Sequence, residues 1–413
     1  MAASTTVPAT DEPVIDICDP RLYDDPWDAY RWLRHHDPVH RDEANDLWVV
    51  SRHAEVSQVS RHAERYSAAQ GVRPKLAAPM SIIAMDDPEH TRQRRLVSQG
   101  FTPRRVRELG DHIRELSREI ADEIASRGQV DFVREFAIHV PLIVIAEMLG
   151  LDPETRDRLY QWSDAMMGGD GHLDPESLQI QAAAQAFGEY TDVCLELIAE
   201  RRAAPRDDII STLTGAFDDG RLTELTEEIP LGDELDDPEL LMFLVLLVVA
   251  GNETTRNAIS GGLLAFSRFP EERARLQDDP GLLPTAVDEI VRYVSPVLSF
   301  SRTVTEDHEL CGRTLREGDK VLMLYQSANR DEAVFDEPDR FRIDRSPNPH
   351  LGFGIGTHFC LGANLAKAEI GIVFEELFRR LPDIRVPDGA GPTRGDSALV
   401  LSIDSLPAVF TPT

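Results

Sequence analysis

Two glycines, Gly354 and Gly356, precede a cysteine, Cys360, at the start of an amphipathic helix, and few folds make use of that order. In the run Phe353-Gly354-Ile355-Gly356-Thr357-His358-Phe359-Cys360-Leu361-Gly362 the glycines let the backbone turn tightly and approach a flat ligand without a Cβ clash. The helix that follows carries Leu361, Leu365, Ala368 and Ile372 at helical spacing. Unpaired N–H groups and the helix dipole at that end favour a thiolate over a thiol. A phosphate-binding glycine loop would open its helix with a basic or hydroxyl residue rather than Cys and Leu. A catalytic Cys–His pair would need its base placed across the fold, and His358 is only two residues away. The plain alternative is a buried structural cysteine.

The remaining cysteines, Cys18, Cys194 and Cys311, are scattered, and no CxxC pair occurs. That argues against a disulfide framework and a cysteine-rich zinc site, and these three read as inert buried thiols. The net charge of -30 would repel nucleic acid and anionic membrane surfaces, so neither is an expected partner. Against it stands a basic cluster: Arg92, Arg94, Arg95, Arg104, Arg105 and Arg107. The apolar run Leu240 to Ala250 is about half of the ~20 residues that cross a bilayer, so it reads as a buried core helix and not a membrane span. The first residues lack a basic stretch followed by an apolar run, and a cytoplasmic, soluble chain is expected.

Residues 1–12 read as a disordered terminus and 13–413 as a single domain, because no linker, charge block or repeat divides them. Helical periodicity dominates. From Thr102 to Ser126 the stripe Val106, Leu109, Ile113, Leu116, Ile120, Ile124 marks a long helix ended by Gly128. Similar patterns cover 137–149, 154–167, 178–202, 239–268, 283–294 and 361–381. Short strands are expected at Leu47–Ser51, Val321–Tyr325 and Ala398–Ile403. Ser67–Met80 and Gly168–His172 read as lid loops, and Asp218–Asp237 as a solvated connector. The sum is a mainly α protein with a small β part.

Two further segments carry chemistry. In Ala250-Gly251-Asn252-Glu253-Thr254-Thr255 an acid and two hydroxyls lie inside a buried helix, which is costly unless they are satisfied locally or have a task. Gly251 removes a side chain where something must come close. Threonines that bond back to helix carbonyls are the plain alternative. In Glu289-Ile290-Val291-Arg292 the acid and base share a helix face, a pattern usually of small worth at a surface.

Together these segments resemble the cytochrome P450 family. The cysteine run matches its F-x-x-G-x-[HRK]-x-C-x-G pattern completely, and the likeness extends across almost the whole chain. The resemblance implies a single-domain fold with haem b between a long distal helix and a proximal helix. Cys360 would be the axial thiolate, pushing electron density onto iron to favour O–O cleavage, within a loop shaped by Phe353, Gly354 and Gly362. Gly251 would border the cofactor, and Glu253 and Thr254 would relay protons to dioxygen. Glu289, Arg292 and Arg340 (from Pro338-Asp339-Arg340-Phe341) would form a structural network. His90, Arg94, Arg302 and His358 would hold the two haem propionates. Ile82, Met85, Ala250, Val297 and Leu298 would face the distal side, with Trp162, Met166 and Met167 on the helix roofing the pocket. These apolar residues imply an apolar substrate, although at such spacing they serve as readily in a plain core.

The run Val249–Asn257, with Asn348-Pro349-His350, is similar to bacterial members that hydroxylate sterol side chains or methyl-branched lipids. The implied activity is monooxygenation of an unactivated C–H bond. No flavin or iron–sulfur segment is recognisable, so electrons would come from an acidic ferredoxin and its reductase, with NAD(P)H used only indirectly. Arg104 and Arg105 are the candidate docking residues. Two alternatives are a peroxide-driven hydroxylase, against which Glu253-Thr254 counts, and a non-enzymatic haem sensor or carrier.

Overall fold

Stripes at helical spacing become helices in the computed structural model, which describes residues 15–75, 80–168, 174, 176–215 and 235–413. The first are α1 (Trp27–His36), α2 (His53–Arg61), α3 (Glu89–Val97) and α4 (Pro103–Ile124). Then come α5 (His139–Met148), α6 (Pro153–Gly168), α7 (Leu178–Ala203) and α8 (Ile209–Gly215). After these follow α9 (Asp237–Arg268), α10 (Pro270–Asp278), α11 (Leu283–Val294), α12 (Tyr325–Ala328) and α13 (Ala363–Arg380).

The helix α9 organises the rest. It begins at a capping box, in which Asp236 accepts from the Glu239 N–H at 2.8 Å and Glu239 accepts from the Asp236 N–H at 3.1 Å. Along its 32 residues it packs against α5, α6, α7, α11 and α13. By length and composition it could cross a membrane, yet Leu240, Phe243, Leu244, Val248, Leu263 and Phe266 are buried in the protein core. Each such side chain contributes roughly 1.5–3 kcal/mol by leaving water. α13 lies along α4, whose stripe Ile113, Leu116, Ile120 and Ile124 is buried as the spacing requires. Thr102 caps α4 through a bond from the Arg105 N–H.

The β part is chiefly one five-stranded sheet ordered Val39–Asp42, Leu47–Val50, Lys320–Leu324, Ser299–Val304, Tyr66–Ser67. Its central pair, Ser299–Val304 and Lys320–Leu324, is antiparallel with Arg302 opposite Val321. Two expectations shift. In place of the strand expected at Ala398–Ile403, a strand runs Ile403–Ser405, and of the segment before it only Val400 bridges to Val297. The near half of the Ser67–Met80 loop is anchored, with Ala68 and Val72 buried and the Val72 carbonyl accepting from the Ser301 N–H at 2.7 Å. The expected disordered terminus 1–12, residues 76–79 and 169–172, and most of the connector Asp218–Asp237 lie outside the described residues.

One group in this core has an unusual environment. Glu369 on α13 is 2% exposed, its Oε1 has no hydrogen-bond partner, and burial alone pushes the carboxyl up to about 8 from an ordinary 4.5. The folded chain therefore keeps a proton that the unfolded chain has lost between those two values. Its contribution to stability is full below the lower value and falls as pH rises to the upper one, on the order of 1.4 kcal/mol per pH unit. Glu369→Gln removes this slope. Melting curves at pH 5 and pH 8 should show the variant's advantage over the parent growing with pH; parallel curves would contradict it.

Candidate active site

The cysteine loop leaves the sheet side and returns to α13 through a tight hairpin. The Cys360 N–H donates to the Phe353 carbonyl at 2.9 Å, and the Gly354 N–H to that of Leu351 at 2.9 Å. Gly354 and Gly356 have φ of 67° and 78°, the left-handed region that favours glycine. A Cβ on Gly356 would lie 2.9 Å from the Ser60 carbonyl oxygen, so the close approach is to α2 and not to a flat ligand. Cys360 sits three residues ahead of α13, and Gly362 caps that helix. The cysteine keeps accessible surface and so faces an opening, yet enough protein surrounds it that burial pushes its thiol up. The Gly362 N–H and the Arg94 guanidinium pull the other way, toward thiolate. Phe359 beside it is 44% exposed.

Four basic side chains converge next to this loop. The His90 and His358 rings lie 4.3 Å apart, and Arg94 Nη2 donates to the Phe359 carbonyl at 2.6 Å. Arg302 is buried and donates from Nη1 to the neighbouring Ser301 carbonyl at 2.9 Å. His358 is pushed down to about 3 by burial and then by Arg302, His90 and Arg94. His90, 1% exposed, has no hydrogen-bond partner on either ring nitrogen. A buried ring with an unpartnered Nε2, whose Nδ1 has only Asp87 at 3.7 Å, fits an anion beside the Arg94 and Arg302 guanidiniums. A flat cofactor with two carboxylates and a metal beside Cys360 has the chemistry that this donor set lacks.

The distal helix answers only part of what its sequence suggests. Ala250 is exposed and Thr254 half-buried, one turn apart on the same face of an otherwise buried helix. The Thr254 Oγ1 donates to the Ala250 carbonyl at 2.7 Å, which is the local back-bond. Glu253 lies on another face. Its carboxylate takes bonds from Arg256 Nη2 at 2.5 Å and Asn257 Nδ2 at 2.8 Å, and burial pushes its pKa up against their pull. Asn257 Oδ1 in turn accepts from the Ile403 N–H at 2.8 Å. At Gly251 a Cβ would meet Ile145 Cδ1 at 2.7 Å, so the small residue admits the close approach of α5.

A family model described as Cytochrome P450 matches residues 281–401. The chain is 40% identical over 408 residues to a steroid C26-monooxygenase of Mycobacterium tuberculosis, covering 98% of each. The chain belongs to the cytochrome P450 family. It is 39% identical to a methyl-branched lipid omega-hydroxylase of the same species, covering 89% of this chain and 85% of that protein. A solved Mycobacterium marinum cytochrome P450 in complex with pseudoionone matches with a TM-score of 0.85 at 35% identity, over 98% of this chain and 100% of that one. Family and fold imply a haem iron with a thiolate ligand, and the protein is a monooxygenase.

In this P450 the acid–base network behind the cysteine loop differs from its expected membership. Glu289 and Arg292 are fully buried and pair at 2.7 Å. The third side chain is Arg345, whose Nε lies 3.1 Å from Glu289 Oε2. Arg340 pairs instead with Glu337 at 3.7 Å and lends only its carbonyl, to Arg292 and Arg345. Glu289 also accepts from Asn348 Nδ2 at 3.2 Å and from the Arg342 N–H at 2.8 Å. A buried carboxylate stripped of one partner typically costs 3–5 kcal/mol. Arg345→Ala should therefore lower the melting temperature and haem retention sharply, while Arg340→Ala changes stability by less than about 1 kcal/mol. Equal losses in the two variants would contradict this.

Several expected pocket residues are core. Leu298 is 1% exposed and Ile82 is buried in the main cluster; Ala250, Met85 and Val297 keep accessible surface. Met166 packs against the core. Trp162 is buried, donates to Glu189 at 3.0 Å and lies under Arg158, so it ties α6 to α7. The basic cluster is also dispersed by local pairing: Arg92 with Glu239, Arg104 with Glu108, and Arg105 with Thr212 and Asp207. Arg256, Asn257 and Arg345 were not singled out from sequence. The first two follow Glu253 at helical spacing and were legible there; Arg345 is 56 residues from Glu289 and only the fold joins them.

Proposed function

We propose that this P450 hydroxylates the branched end of a sterol side chain or of a methyl-branched lipid, with dioxygen as the oxygen source. A separate acidic ferredoxin and its reductase supply the electrons from NAD(P)H. The reading rests on relatives whose names specify a steroid C26 position and the omega position of a methyl-branched lipid. Both positions are ends of branched alkyl chains, so one apolar slot serves either. Cys360 supplies the thiolate, and His90, Arg94, Arg302 and His358 hold the carboxylates of the haem. The bound haem supplies the oxygen-activating and electron-storing chemistry. The exposed Ala250–Thr254 face borders the reacting carbon, with Met85 and Val297 adding apolar wall.

Burying a hydrocarbon skeleton at ~25 cal/mol per Å² suffices for micromolar binding. A spectral titration of the haem-loaded protein tests the substrate class. Sterols with an intact side chain and methyl-branched fatty acids should convert the haem from low to high spin as water leaves the iron. Steroids lacking the side chain should bind at least about tenfold more weakly. Small polar aromatics that shift the spin state while both lipid classes fail would overturn the reading and leave the family assignment intact.

A further inference from the structure

A cavity of about 290 Å³ opens between α1, the C-terminal half of α9, the end of α11 and the start of the strand Ile403–Ser405, among residues the haem site does not use. Its charge opposes that of the chain. Arg31, Arg268, Arg330 and Arg394 line it with a single carboxylate, Asp339, on a protein of net charge -30. Asp339 is shared between Arg330 at 3.0 Å and Arg31 at 3.2 Å, and Arg31 also meets Asp28. Arg394 donates to the Tyr23 carbonyl at 2.6 Å, with Asp24 and Asp25 nearby. Arg268, exposed on the last turn of α9, sits close enough to Arg394 for the two to repel.

Two buried polar atoms are also left over. Arg330 and Gln326 are each 4% exposed, and both line the cavity. Arg330 Nε and Gln326 Oε1 have no hydrogen-bond partner, although the rest of each side chain is engaged. An unpaired buried group of this kind is costly unless a ligand or water completes it. The Trp27 and Tyr293 rings lie 4.5 Å and 3.9 Å from the Arg330 guanidinium carbon, and Leu264 adds apolar wall. Cations call for an acid, a free carbonyl oxygen calls for a donor, and the apolar wall that Leu264 shares with Trp27 and Tyr293, a face of each taken by Arg330, suits a small ring.

We propose that this cavity is a binding site for a small aromatic carboxylate bearing a hydroxyl group. The carboxylate pairs with Arg268 and Arg394, and the hydroxyl donates to Gln326 Oε1. A volume at the low end for ligand pockets limits the occupant to about one ring.

Calorimetric titration of the haem-loaded protein, with an azole on the iron to close the active site, provides the test. 4-Hydroxybenzoate should bind one-to-one, benzoate at least about fivefold more weakly for want of the hydroxyl, and 4-hydroxybenzyl alcohol with no measurable heat. Arg268→Glu reverses a charge on the rim, and Leu264→Trp fills the cavity. Each should weaken 4-hydroxybenzoate at least about tenfold while the thiolate-type carbon monoxide spectrum is retained, which shows the variant folded. Absence of heat from 4-hydroxybenzoate, unchanged affinity in both variants, or an alcohol that binds as well as the acid would each overturn the site.

Discussion

Cys360→Ser is expected to abolish the strongly red-shifted Soret band of the reduced protein with carbon monoxide. The band reports a thiolate on the iron, and serine offers a hydroxyl far too weakly acidic to replace it. The substitution tests ligand chemistry rather than folding. The Cys360 N–H bond to Phe353 and the positive φ of Gly354 and Gly356 are backbone features, so the loop keeps its shape. The other cysteines are poor substitutes on physical grounds. Burial pushes Cys194 up to about 12 and Cys18 up to about 11, while Cys311, exposed where a buried thiol is expected, donates its S–H to Glu55 at 2.9 Å. Cys194→Ala, Cys18→Ala and Cys311→Ser should all keep the band. A Cys360→Ser protein that still shows it, or its loss in one of the other three, would remove Cys360 as the ligand.

Local features were legible in sequence, and long-range pairings were not. The stripe on α4 and the apolar body of α9 follow from spacing, because helical periodicity is written within a few residues, whereas Asp236 and Asp237, read as connector, cap and open α9. The order of the cysteine loop was legible too. The short strands were partly missed, since Ser299–Val304 alternates weakly and forms because Lys320–Leu324 lies beside it. The same limit explains the third arginine. Arg340 stands in a recognisable Pro-x-Arg-Phe, yet the side chain that reaches Glu289 is Arg345, and no spacing rule links residues 56 apart. Gly251, Gly356 and Leu298 are further cases. The two glycines read as bordering the cofactor also admit Ile145 and Ser60, and Leu298, read as facing the distal side, is 1% exposed; such packing is set by residues distant in sequence.

Thr254 and Glu253 are expected to fail in different ways when replaced. On the proposed reading, with dioxygen as the oxygen source, protons would have to be delivered on time, and late or misdirected delivery would divert electrons to hydrogen peroxide. Thr254 is the hydroxyl with access: it is half-buried on the face it shares with exposed Ala250, whereas Thr255 is 3% exposed on the core side. Its back-bond to the Ala250 carbonyl uses the hydroxyl proton and leaves the oxygen lone pairs free to hold a water. Glu253 does not bond to Thr254; it is clamped by Arg256 and Asn257. Its burial pushes the pKa up, which brings the carboxyl nearer to the range where it can exchange protons at neutral pH. Its task would be connection to solvent, with exposed Asp164 lying 3.9 Å from the other side of Arg256. Thr254→Ala should keep haem content, substrate binding and much of the NAD(P)H consumption while product falls and peroxide rises. Glu253→Gln should instead slow turnover with an altered solvent isotope effect, by a share of the ~10²–10⁴-fold that positioned acid–base groups contribute. Because Thr255 faces the core, the single Thr254 change is decisive without a double variant. The ratio of product to NAD(P)H consumed is the measurement. A Thr254→Ala protein that stays fully coupled would reduce the threonine to the helix back-bond that it visibly makes.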